Sequence, residues 1–224
     1  MANVLEQKTI QLNVMLVPKS PINIGLIPNS KLETKVAEIY GDSSKPVLTK
    51  FPDAFVLFDP NNQIGINVLS DQNRIMISDN RVTPYASRSL DEFIRLTKGA
   101  VDIILEETRA DGIIAYGFNI MADIDIDQDD SSKFLLEKFI KLGVEGVVCV
   151  GGGVRLIFEM AGEDKYRNDL RLDPRFGSRL VPTKSILVSQ NSHIEAASLP
   201  TLEKLSAQIT KIYNELPTML GKIL

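Results

Sequence analysis

"AFVLFDPNNQIGINVLSDQNRIMISD", residues 54–79, decides the fold class. Its runs 54–59, 63–70 and 74–79 are short, apolar-rich and strand-like. Between them stand Asp59-Pro60-Asn61-Asn62 and Ser70-Asp71-Gln72-Asn73, compositions that favour tight turns. Connections this short join antiparallel strands, because a parallel return needs a crossover of a dozen or more residues. The middle of the first half is therefore an antiparallel meander.

Upstream, "TIQLNVMLV" (9–17) sets Ile10, Leu12, Val14 and Leu16 against Thr9, Gln11, Asn13 and Met15, a further strand with one buried face. Pro18, Pro21 and Pro28 interrupt the next segment, and "SKLE" predicts a capping box from Ser30 and Glu33 with a helix over about 31–40 ending at Gly41. Downstream, "SLDEFIRLTKGAVDIILEETR" repeats the box with Ser89 and Glu92 and aligns Phe93, Leu96, Ala100 and Ile104 on one helical stripe. A strand over 112–126 and a helix from Ser131 to a stop at Gly143 come next. Strands near 144–150, 154–161, 165–172 and 184–190 come after it, then a helix over 199–215 that Pro217 is expected to end. This pattern predicts an α+β protein: mainly antiparallel sheets built as meanders, with three or four long helices packed on one face. A seam near 128–132 could divide an N-terminal unit, 1–128 (β-α-β-β-β-α-β), from a C-terminal unit, 129–224 (α-β-β-β-β-α), or the two could form one continuous domain.

A chain of 224 residues, 44% hydrophobic and 24% charged, can bury a substantial core. Its longest apolar runs fall well short of the roughly 18 residues of a membrane helix, and its start lacks a basic leader, so a cytoplasmic protein without a membrane contact is expected. The single cysteine, Cys149, lies among valines and fits a core position in a reducing compartment. Charge is uneven along the chain. Residues 102–130 hold nine acids against Arg109, whereas 165–184 hold six bases against Asp169 and Asp173. Two such stretches attract, within one chain or between copies.

The most chemical-looking stretch is "MADIDIDQDD" (121–130), in which Asp123, Asp125 and Asp127 are the candidate metal ligands. On a strand they would share one side at spacings of about 6.5–7 Å, too wide for one ion without ligands from elsewhere. A calcium-loop reading fails at Asp130 and Leu136, where glycine and glutamate belong. The three acids read better as the solvated face of a strand, with Asp129, Asp130, Ser131 and Ser132 opening the following helix. The candidate polyanion-binding residues are Arg167, Arg171, Arg175 and Arg179, interleaved with Tyr166 and Phe176. Gly151-Gly152-Gly153 lacks the Lys-Ser/Thr of a phosphate loop and reads as a turn, with Arg155 nearby. His193 is the only histidine, which leaves no histidine-pair zinc site.

No complete catalytic constellation and no cofactor fingerprint emerges, so the expected function is a non-enzymatic binding or assembly module that self-associates. The predicted partner is a second copy, a two-fold dimer held by the opposite-charge stretches or by the apolar stripe Leu202, Leu205, Ile209, Ile212 and Leu216 of the last helix, with Tyr213 beside it. A different protein partner is the variant of that reading. The alternatives are a carboxylate-dependent metal hydrolase at Asp123, Asp125 and Asp127, and a nucleic-acid or polyanion binder at the 165–184 arginines.

Overall fold

The structure is a computed structural model that describes residues 3–41, 43–81, 88–139, 151–160, 166–195 and 201–224. Cys149 and the strand expected over 144–150 lie outside the described residues. Among the described residues, nine strands and four α-helices occur in the order β1 (Val4–Pro18), α1 (Asn29–Tyr40), β2 (Val47–Lys50), β3 (Ala54–Asp59), β4 (Ile64–Leu69), β5 (Arg74–Asn80), α2 (Leu90–Thr108), β6 (Ile113–Ile126), α3 (Ser131–Phe139), β7 (Val154–Met160), β8 (Tyr166–Phe176), β9 (Pro182–Glu195) and α4 (Leu202–Ile223). The strands form one antiparallel sheet in the order β2-β3-β4-β5-β1-β6-β9-β8-β7. The mixed α+β class read from the meanders is thus the class of the molecule. The expected seam at 128–132 falls in the turn after β6, a strand that pairs with β1 on one side and β9 on the other.

Alternation fixes which side chains enter the core. Leu12, Val14 and Leu16 of β1, Ile75 and Ile77 of β5, Phe118, Ile120 and Ile124 of β6 and Ile186 and Val188 of β9 are all wholly buried. Helix α2 sets Phe93, Leu96, Ala100 and Ile104 into this core, the Phe93 ring 6.4 Å from that of Phe118. Its predicted capping box is complete: the Glu92 N–H donates to the Ser89 hydroxyl and the Ser89 N–H to the Glu92 carboxylate. Helix α4 buries Leu205, Ile209, Ile212 and Leu216, and Tyr213 shares a 2.8 Å hydrogen bond with Thr9 of β1. These four residues of the stripe expected to serve a dimer therefore pack against their own chain, while the Leu202 side chain lies outside the described residues. Helix α3 lies against β8 and β9.

Four local expectations need correction. Ile10 does not join Leu12 in the core, because a bulge between Thr9 and Gln11 inserts one residue and shifts the alternation; Thr9 turns inward instead. Ser30 does not cap α1: the helix begins at Asn29 behind Pro28, whose carbonyl accepts the Leu32 N–H, so Ser30 sits inside the first turn. The four-residue strand β2, wedged between Pro46 and Pro52, is too short to show a period and was not expected. Finally, Pro217 does not end the last helix, which continues to Ile223.

Candidate functional site

Of the three aspartates expected on a wet face, Asp127 is exposed, Asp123 is half-buried and Asp125 is buried. Asp125, 3% exposed, accepts from the Ser185 hydroxyl at 2.5 Å and meets Lys8 and Lys184, each at 3.3 Å. Burial raises its carboxyl pKa, but the hydrogen bonds from Ser185, Lys8 and Lys184 outweigh that and hold it below the ordinary value. Asp123 pairs with Arg175 at 2.6 Å. Asp127, beyond the strand, accepts from the Asn3 backbone N–H at 2.9 Å and from the Asn3 side-chain amide at 2.8 Å. Among the described residues no three His, Cys, Asp or Glu side chains come together as a group that could hold a metal ion. The helix cap read at 129–132 is present in part, as Asp130 accepts from the Lys133 N–H.

These contacts also show where the uneven charge goes. The acidic stretch on β6 meets the basic stretch through Asp123 with Arg175 and Asp125 with Lys184, inside one chain. Of the four candidate arginines, Arg167, Arg171 and Arg175 stand on the outward side of β8, and Arg179 lies in a tight turn with a left-handed φ of 60°. Arg155 of β7 donates two hydrogen bonds to Asp169, which Arg171 approaches at 3.8 Å. His193 faces Arg167 on one side and Gly117 on the other. Just before β7, a side chain on Gly153 would meet the end of the exposed Asp173 carboxylate, which would have to turn aside.

Charged and amide groups also occupy inward positions that were not expected to hold them. Asp59 follows Phe55 and Leu57 in the β3 alternation and is 1% exposed. It accepts from the Ser44 hydroxyl, the Asn62 side chain and the backbone N–H groups of Lys45, Asn61 and Asn62. Burial raises its pKa, yet the Asn62, Ser44 and Lys45 bonds together leave it depressed without a cation. Asp79 follows Ile75 and Ile77 in β5 in the same way, and meets Arg81 at 3.3 Å and Arg88 at 2.9 Å. On β8 and β9, Asn168, Gln190 and Ser192 form a buried triad in which the Gln190 amide and the Ser192 hydroxyl both donate to the Asn168 carbonyl. For Asp79 and Asn168 the signal was available, since each takes an apolar beat of a period-two pattern, whereas the continuous apolar run before Asp59 shows no such period.

The outward face of the four central strands has a different composition. Gln11, Asn13 and Met15 of β1 lie beside Met76 of β5 and beside Asn119 and Met121 of β6, all half-buried, with the Asn119 amide donating to Asn13 at 3.2 Å. Arg74 is the one charge at this end of β5. No protein-family model matches the chain, and no curated protein matches it. Among the described residues no helix is long and apolar enough to cross a membrane.

Proposed function

We propose that the chain is a non-enzymatic binding module that self-associates through the outward face of its sheet. The observation that carries this reading is the make-up of that face. The stretch around Met15, Met76 and Met121 is uncharged, three methionines among amides, with the Asp123–Arg175 and Lys8–Asp125–Lys184 ion pairs at one end of it and Arg155, Arg167 and Arg171 with Asp169 and Asp173 on the β7–β8 flank. Interface cores are depleted in Lys, Glu and Asp and enriched in Met and Arg, and methionine adapts its shape to a partner. Alternating arginines and aspartates on one flank are self-complementary across a two-fold axis, which favours a second copy as the partner. The contacts that fasten helices support an open outward face: Phe93 against Phe118, Tyr213 with Thr9 and the Tyr166 hydroxyl with Glu215 all reach inward side chains.

The chain order supports a two-unit reading as well. A long strand, a helix, a meander and a helix occur in residues 3–111 and recur in 112–224, and in each half the last meander strand pairs with the first strand. On this reading the boundary lies at the turn before β6, and β1 and β6 join the units.

Light scattering over a dilution series tests self-association. The expected result is a mass near twice 24.8 kDa at high concentration, reduced to the monomer by Met121→Lys with the melting temperature unchanged. A constant 24.8 kDa at every concentration overturns the reading.

A further inference from the structure

We infer that Arg81, Arg88 and Tyr40 form a binding site for a small oxyanion, a carboxylate or phosphate group, where the end of β5, the end of α1 and the start of α2 converge. The site is separate from the outward face of the sheet. Asp79, 1% exposed, occupies one edge of each guanidinium: its Oδ2 accepts from Arg81 Nε at 3.3 Å and its Oδ1 from Arg88 Nη1 at 2.9 Å. Arg81 is itself 6% exposed and is pinned by its backbone N–H to the carbonyl of Ile10, the bulged residue of β1. Its Nη2 is buried and has no acceptor among the described residues. The Tyr40 hydroxyl is likewise buried without a partner among the described residues, and the Arg88 guanidinium lies over the Tyr40 ring, 5.7 Å from its centroid. The charges of Asp79, Arg88, Glu92 and Arg81 all reach that hydroxyl. Glu92 is already engaged by the Ser89 N–H, so its carboxylate is held at the helix start.

Arg81 and Arg88 stand against Asp79 and Glu92, so the cluster is balanced in charge, and the two orphan groups are donors. Buried donors without acceptors are strongly disfavoured, and a guanidinium most favours an anionic oxygen. An oxyanion would accept from Arg81 Nη2 and the Tyr40 hydroxyl at once, beside Arg88, whose side chain is 18% exposed. No covalent step is implied.

The full-length chain should be titrated by calorimetry with inorganic phosphate and, separately, with acetate, each against chloride at equal ionic strength. Saturable binding of at least one anion is expected, and which one binds separates a phosphate from a carboxylate ligand. Tyr40→Phe, which removes only the hydroxyl, should weaken that binding about tenfold, the loss of one charge-assisted hydrogen bond. Arg81→Gln should abolish it. If Arg81→Gln fails to fold, Tyr40→Phe alone decides. Binding of neither anion, or equal affinity in wild type and Tyr40→Phe, overturns the site.

Discussion

At the scale of single residues, the molecule separates carboxylates by what surrounds them. Asp59 and Asp79 are both 1% exposed, but Asp59 is held by five hydrogen-bond donations and no cation among the described residues, whereas Asp79 is held by two arginines. Burial pushes the Asp79 pKa up against the pull of Arg81 and Arg88, while the donors around Asp59 leave its pKa depressed. Asp59→Asn turns one acceptor into a donor that faces other donors, and should destabilise by about 2 kcal/mol at pH 7. Because the folded pKa of Asp59 lies below the ordinary 3.8, its contribution is complete above that value and is lost as pH falls through the depressed folded value. Urea melts of wild type and Asp59→Asn should therefore differ most at neutral pH and converge in acid; a difference that widens as pH falls would show that the sign is wrong. The alternating aspartates of β6 were legible as one side of a strand, but not as ion-paired groups, one of them buried. Their partners Lys8, Arg175 and Lys184 come from three other strands, and single-chain periodicity carries no information about cross-sheet neighbours.

At the scale of elements, long regular patterns were legible and local irregularities were not. Helix α2 was readable because a capping box and an apolar stripe agree over 19 residues. The bulge at Ile10 was not, since one inserted residue leaves composition unchanged and reveals itself only in the register with β6. Helix α4 shows packing overriding propensity. Pro217 cannot donate to the Tyr213 carbonyl and would ordinarily disfavour a helix interior by about 3 kcal/mol. Past it, however, Leu220 and Leu224 are wholly buried, and the Leu224 carbonyl receives Lys138 of α3. Burying two leucines recovers about 1.5–3 kcal/mol each, enough to hold the helix through the proline. Pro217→Ala should then raise stability by about 1 kcal/mol or more, read as a higher melting temperature. A lower melting temperature would mean that the ring itself fills space that alanine leaves empty.

At the scale of the whole molecule, the pairing of β1 with β6 is the joint on which the sheet depends. It runs from Val4 opposite Ile126 to Pro18 opposite Ile113, and the core is continuous across it, with Phe93 of α2 against Phe118 of β6 and Tyr213 of α4 bonded to Thr9 of β1. A cut between residues 111 and 112 would leave each half with a complete strand-helix-meander-helix set but with one long unpaired edge and part of its apolar face uncovered. Such edges seek a partner strand, so each half alone should aggregate, and the two co-expressed should reassemble into a particle with one cooperative melt. A cut at 128/129 should not reassemble as well, because it strands α3 through α4 without β6, the strand that β9 pairs with along Ala115 to Asp125. Co-purification of tagged halves compares the two cuts directly. Independent, cooperative folding of residues 1–111 or 112–224 would mean that the joint is an interface between autonomous domains, and better reassembly from the 128/129 cut would place the boundary after β6 instead of before it.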